Sequence, residues 1–516
     1  MDLELSLACR IGQHLMCGLP GYTLDDTFRE AVRKYKISNV ILFSRNIRDK
    51  EQLFELCADI QELVQTECGV PALIGIDQEG GMVSRLSSDC TIVPSAMAIG
   101  ATGDERCALR AGILTGRELS ALGVNVDFAP SLDMNSNPHN PVIGVRSYGD
   151  DPDVVSRFAR SMVEGIQSQG VMAVGKHFPG HGDTHQDSHL VLPAVGGELS
   201  DLQNHILPFS EAVRGGIQGI MSSHILFPDI EKENVPATMS PFFMTELLKN
   251  TLGFKGLVFS DCMEMHAIAK HSGTVDGTVS AIKAGVDVVL ISHTISLGIA
   301  AAEAIAKALE EGILSREVFD ASTEKILLAK QMLQEAERKT LSVVGSAMHE
   351  KENQRLYAQS LTLVQDAPFE LGGNPLFVGV TCFQATVVSS EEHEVVFAPD
   401  MAHLVGGSSL VVSENPDEKE IQRVLSQASK CSSVVVGTYN GHQYPGQIAL
   451  ANALAKDHPV LTVALRNPYD LAELDVHIRS IAVYAYNRDV LIALARLLKG
   501  EISCTGLLPV QLVRGW

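Results

Sequence analysis

Eight short apolar runs, each followed by a longer amphipathic stretch, fill the first two-thirds of the chain. They are "HLMCGLPG" (14–21), "NVILFSRNI" (39–47), "ALIGIDQEGG" (72–81), "VNVDFAPSLDM" (124–134), "VMAVGKHFPGHG" (171–182), "IQGIMSSHILFP" (217–228), "GLVFSDCMEM" (256–265) and "VDVVLIS" (286–292). A strand that is apolar at almost every position must be covered on both faces, and parallel sheets flanked by helices supply that cover. Stretches such as "DERCALRAGILTGRELSALG" and "DPDVVSRFARSMVEGIQSQG" provide the helices. Eight strand–helix units in series predict an α/β fold, a (β/α)8 TIM-like barrel. An open doubly wound sheet is the alternative, but the glycine-rich dinucleotide fingerprint and the phosphate-binding P-loop are both missing.

The pattern breaks near residue 335. With 516 residues the chain is too long for one ordinary core. We therefore expect a catalytic barrel over 1–335, a polar linker with some helix over 336–357, and a smaller α/β sandwich domain over 358–516. In that last part "SLTLVQD", "PLFVGVT", "SSLVVS", "SSVVVGTY", "PVLTVALR" and "IRSIAVYAY" alternate with helical stretches.

The formal net charge of -22 repels nucleic acid and anionic membrane surfaces. The ten cysteines are scattered without a Cys-x-x-Cys pair, which points to reduced thiols rather than a disulfide framework or zinc ribbon. The N-terminal "MDLELSLACRIGQHL" is acidic where a signal peptide is basic, and no apolar run reaches membrane-spanning length. The expectation is a cytoplasmic protein with neither nucleic acid nor membrane as partner.

Barrel chemistry sits at the C-terminal ends of the strands. Those ends offer Asp77 and Glu79, with Arg85 beyond, on the third strand; Asp127 and Asp133, then Arg146, on the fourth; Lys176 and His177 on the fifth; His224 on the sixth; and Asp261 and Glu264 on the seventh. A rim this polar suits a hydroxyl-rich ligand.

The fifth run continues as "KHFPGHGDTHQDSH", with His177, His181, His185 and His189 spaced by four. Helical spacing would gather them on one face, as in a metal site. Pro179, Gly180 and Gly182 oppose a helix, so the segment reads as a loop with neither metal nor cofactor. His181 and His185 are expected to tie the loop down. Asp187, two residues before His189, can orient its ring and favour its protonated form, which makes a general acid/base near neutral pH. Asp261 at the seventh strand tip can attack an anomeric carbon or stabilise an oxocarbenium-like transition state. It can equally cap the helix that follows.

Taken in order, "IGIDQEGGMVSRL", "VIGVRSYG", "GKHFPGHGDTHQDSHLVLP" and "LVFSDCMEM" resemble the glycoside hydrolase family 3 β-N-acetylglucosaminidases. The resemblance spans most of residues 10–335, and the later part is similar to that family's C-terminal α/β sandwich. It implies a retaining mechanism with Asp261 as nucleophile, His189 as general acid/base and Asp187 as its partner. It implies Asp77, Arg85, Arg146, Lys176 and His177 as holders of the terminal sugar. The substrate would be a small oligosaccharide, a muropeptide or a short chitin fragment. Met82 stands where the family commonly has arginine. Cys262 stands where an acidic or small residue is usual, and is read here as packing. The sole tryptophan is Trp516, so sugar stacking on tryptophan is not expected in the barrel. Competing readings are an N-acetylglucosaminide phosphorylase or β-glucosidase of the same family, a metal-dependent barrel hydrolase, and a non-catalytic sugar-binding protein.

Overall fold

A computed structural model describes residues 5–184, 192–380, 382–383 and 394–512. Eight parallel strands close into a barrel: β1 (Leu15–Gly18), β2 (Asn39–Leu42), β3 (Leu73–Ile76), β4 (Val126–Asp127), β5 (Met172–Phe178), β6 (Gly219–Ser222), β7 (Leu257–Cys262) and β8 (Val288–Ile291). Closure is made by β1 against β8, with Leu15 opposite Val289. Each of the eight apolar runs contains one of these strands.

Residues inside the barrel and residues under the helices form separate apolar layers. Met16, Ile41, Phe128, Met172, Val174 and Phe259 fill the interior. Alternate residues such as Leu15, Val40, Ile74 and Val289 face the helices. This double cover is why the strand sequences do not alternate in polarity.

The helix Pro152–Gln167 shows how a unit is specified locally. Asp151 caps it by accepting from the N–H groups of Asp153 and Val154, and Pro152 occupies the first turn, where no hydrogen bond is lost. Val155, Phe158, Ala159, Met162, Val163 and Ile166 recur at helical spacing and are buried. Each large side chain among them stabilises the fold by about 1.5–3 kcal/mol. The helix packs tightly on Glu105–Leu122 because Gly112 has no side chain; a Cβ there would lie 2.4 Å from the Met162 carbonyl oxygen. Gly112→Leu would force these helices apart.

The helix Arg316–Glu335 covers the N-terminal mouth of the barrel. From it, buried Lys330 donates to Gln13 Oε1 at 2.6 Å and to Ser38 Oγ at 3.1 Å. Nearby, His14 Nδ1 donates to the Asp287 carbonyl at 2.7 Å. Burial pushes Lys330 down to about 7 and His14 down to about 4.

The polar stretch beyond residue 335 includes the helix Ala347–Ser360, pinned to the barrel where His349 Nδ1 meets Glu118 Oε1 at 2.9 Å. The second domain follows. Its strands are β9 (Thr362–Gln365), β10 (Pro375–Val380), a two-stranded antiparallel ribbon of β11 (Cys382–Phe383) and β12 (Glu394–Val395), then β13 (Ser408–Val412), β14 (Ser433–Thr438), β15 (Val460–Ala464) and β16 (Arg479–Ala482). The main sheet runs β13-β10-β14-β15-β16-β9, parallel except for β9. Its apolar core also takes in Met97, Ala98 and Val145 from the barrel's loops and short helices. Among the described residues, no helix is long and apolar enough to cross a membrane.

Candidate active site

A cavity of about 330 Å³ opens at the C-terminal mouth of the barrel. Asp77, Arg85, Arg146, Lys176, His177 and Asp261 all line it. They come from four different strand ends and gather because the barrel brings those ends to one rim.

Lys176, buried near the end of β5, is the centre of the charge network. Its Nζ stands 2.7 Å from Asp77 Oδ1 and 2.7 Å from Glu79 Oε1. Arg146 grips the same Glu79 with two bonds, Nε to Oε2 at 2.9 Å and Nη2 to Oε1 at 2.8 Å. Burial alone would raise the Glu79 carboxyl, but Arg146 and Lys176 outweigh it and hold Glu79 well below the usual carboxylate range. Burial opposes the charge on Lys176 too, and there Asp77 and Glu79 win and raise it. The cluster therefore stays ionised, as buried charges do only when paired and hydrogen-bonded.

Arg85 is different. Its side chain is 1% exposed, and Nε, Nη1 and Nη2 are all buried without a hydrogen-bond partner. The Asp77 carboxylate lies 3.7 Å away. Unmet buried donors are costly, so three guanidinium nitrogens on a cavity wall are available to a polar ligand.

His177 is set by Asp133, a carboxylate with no exposure. Asp133 Oδ2 accepts from His177 Nδ1 at 2.7 Å, while Oδ1 accepts from the His181 backbone N–H at 2.7 Å. Burial acts to raise Asp133, but His177 and His181 bring it below its ordinary value. His181 faces Thr184 Oγ1 across 2.8 Å through Nδ1 and ties down its own loop; burial pushes it to about 4. Asp187, His189 and His185 lie outside the described residues.

Asp261 is the last residue but one of β7, and its Oδ1 accepts from the Cys262 backbone N–H at 2.7 Å. It does not cap the next helix: His266–Ala269 has Met265 at its N-cap position. That leaves the carboxylate on the cavity wall. Cys262 lines the wall as well, its thiol pushed by burial to about 11. Glu264 accepts from the backbone N–H of His293 at 2.6 Å and so joins the tips of β7 and β8.

Two strand-end residues support the site from outside it. His224 Nε2 lies 3.0 Å from the Cys262 carbonyl and steadies the β7 tip. Asp127 accepts from the Gln78 N–H at 3.1 Å; its other oxygen is buried without a partner, and burial raises its carboxyl well above the ordinary value.

The sequence reading missed one wall. Phe43 and Arg45 after β2, and Ser292 and His293 after β8, line the same cavity. Arg45 Nη2 donates to the Ser292 carbonyl at 2.6 Å and bolts these two strand ends together. Both sets follow apolar runs directly, so extending the strand-end criterion to all eight strands would have found them. Among the described residues, no three His, Cys, Asp or Glu side chains are arranged to hold a metal ion.

Residues 6–329 match the Glycosyl hydrolase family 3 N terminal domain. The chain belongs to glycoside hydrolase family 3. This family 3 chain is 30% identical to Beta-hexosaminidase A of Pseudoalteromonas piscicida, over 95% of its own length and 91% of the relative's. A Beta-hexosaminidase of Nitrosomonas eutropha is 36% identical over 54% of this chain and 80% of its own. The solved family 3 beta-N-acetylglucosaminidase from Paenibacillus sp. str. FPU-7 superposes with a TM-score of 0.91 at 36% identity, covering 99% of this chain and 100% of that one. The barrel and the second domain thus both have counterparts in one family 3 glycosidase.

Proposed function

We propose that this glycoside hydrolase is a retaining exo-β-N-acetylglucosaminidase that removes terminal β-linked N-acetylglucosamine from muropeptides or short chitin-type fragments. One observation carries the reading: the Asp261 carboxylate shares a single small cavity with the Arg85 guanidinium, whose nitrogens are buried without a hydrogen-bond partner. A nucleophile and a waiting sugar-binding cation face the same space. About 330 Å³ lies at the small end of ligand pockets and favours one terminal sugar over an internal chain segment.

In the first step Asp261 attacks C1 and the glycosidic C–O bond breaks. His189, held by Asp187, gives its proton to the departing oxygen. In the second, His189 takes a proton from water, the water oxygen bonds to C1, and the Asp261–C1 bond breaks with net retention. Asp77 accepts from sugar hydroxyls, while Arg85, Arg146, Lys176 and His177 surround them with polar groups. The relatives named as beta-hexosaminidases support the sugar. The nine free cysteines among the described residues suit a reducing compartment, and a cytoplasmic location is part of the reading.

The test is mechanism-based labelling. A fluorinated N-acetylglucosamine inactivator, followed by peptide mapping, should place the label on Asp261. A label on any other residue overturns the assignment.

A further inference from the structure

The loop after β4 carries Asp133 and Arg146 to the active site, and the second domain clasps it at three points. Asn135 Nδ2 donates to Tyr469 Oη at 2.7 Å. Gly144, at φ +45°, lies against Asn467 so closely that a Cβ added to it would stand 2.6 Å from Asn467 Oδ1. At the loop's end the Asp150 N–H donates to the Pro509 carbonyl at 3.3 Å, and the Gln511 N–H donates to Asp150 Oδ2 at 2.7 Å. The loop also closes on itself, with the Asn135 N–H bonded to the Gly149 carbonyl at 2.9 Å.

Two of the clasps lie two residues from the functional side chains. Asp133 is two residues before Asn135, and Arg146 is two after Gly144. Between Gly144 and Arg146 sits Val145, 1% exposed, with its side chain in the apolar core of the second domain. Tyr469 and Asn467 are not among the residues lining the cavity.

We infer that the second domain is a brace for the sugar-binding loop, and that Tyr469 and Asn467 are positioning residues acting through Asp133 and Arg146. This rests on the reading that Arg146 and His177 hold the sugar. The stretch from β4 to the helix at Pro152 has only the short turn Gly144–Arg146 as regular structure. Loops of that length inside a compact fold are either functional or costly to order. Left unbraced, it would have to be ordered each time a sugar bound. Held by Tyr469, Asn467 and the Val145 socket, it is ordered beforehand, so binding energy is not spent on it.

The experiment uses the full chain, an aryl β-N-acetylglucosaminide, and melting midpoints measured in parallel. Tyr469→Phe removes only the oxygen that Asn135 bonds. Val145→Ala trims the side chain seated in the second core. Asn452→Ala is the control; it loses hydrogen bonds to Glu473 and Asp475 within the second domain, away from the loop. Both loop variants should raise KM about tenfold while kcat changes less than about threefold, the signature of weakened uniform binding. Asn452→Ala should leave both constants unchanged. An unchanged KM in Tyr469→Phe and Val145→Ala, or an equal rise in Asn452→Ala, overturns the brace. Arg146→Ala separates the two levels: if it raises KM and the loop variants do not, the brace alone falls. If Arg146→Ala is also without effect, the site reading falls with it.

Discussion

Asp133 holds His177 by both of its N–H groups, the backbone at 3.2 Å and ring Nδ1 at 2.7 Å. A carboxylate that close to Nδ1 fixes the proton there. Nε2 is left to face the cavity and Arg146 Nη2, 3.4 Å away. Asp133→Asn keeps the shape but turns one acceptor oxygen into a donor, which frees the ring to rotate. It should lower kcat/KM about 10- to 100-fold with the fold intact. Steady-state kinetics alongside circular dichroism check this.

Glu79 is the shared counter-ion of Lys176 and Arg146. Glu79→Gln leaves two buried cations with Asp77 as the remaining close carboxylate. Breaking a buried pair in this way costs about 3–5 kcal/mol. Urea unfolding should show a loss of that order, together with loss of turnover; a variant as stable as wild type would contradict the pairing.

Stability should rise with pH on the alkaline side because of Lys330. Its folded pKa is about 7, against an ordinary amine value near 10.4 in the unfolded chain. Between those values the unfolded chain holds a proton that the folded chain has released, so raising the pH favours the folded state. Below pH 7 both states are protonated and the dependence stops. Lys330→Met should abolish this rise, as read by unfolding free energies from pH 7 to 10 relative to wild type.

On the acid side the relevant groups are His14 and His181, each pushed by burial to about 4. As pH falls through 6.5 the unfolded chain binds protons that these folded imidazoles refuse. Stability is therefore lost from about pH 6.5 down to 4, by roughly 1.4 kcal/mol per pH unit for each group as an upper bound. His14→Gln should make that slope shallower.

Hydrolysis and phosphorolysis differ in product. With a chitobiose-type substrate in phosphate buffer, the expected product is free N-acetylglucosamine. Accumulation of the sugar 1-phosphate would replace the hydrolase reading with a phosphorylase.

The barrel was legible because its strands are buried on both faces, which writes them as unbroken apolar runs. Lys176 and Asp261 were legible for a related reason: a charged residue at the end of such a run stands out. Arg45 and His293 carry the same signal at the ends of β2 and β8, but "FSRN" and "ISH" do not say locally that the two ends share one wall. The use of Glu79 was also hidden. Its spacing from Asp77 says nothing about a bidentate bond to Arg146, 67 residues away. The contact of Asn135 with Tyr469 spans 334 positions and two domains, and no local pattern encodes it.

Met97, Ala98 and Val145 precede the linker in the chain yet sit in the core that lies beyond it. Anyone cutting this enzyme down to a minimal barrel, or grafting that barrel onto another protein, inherits a wet apolar patch where the second domain used to be. Exposing Met97 and Val145 would each cost about 1.5–3 kcal/mol and offer a surface for aggregation. A usable minimal enzyme must first be resurfaced at those positions, and the loop bearing Arg146 given some other support.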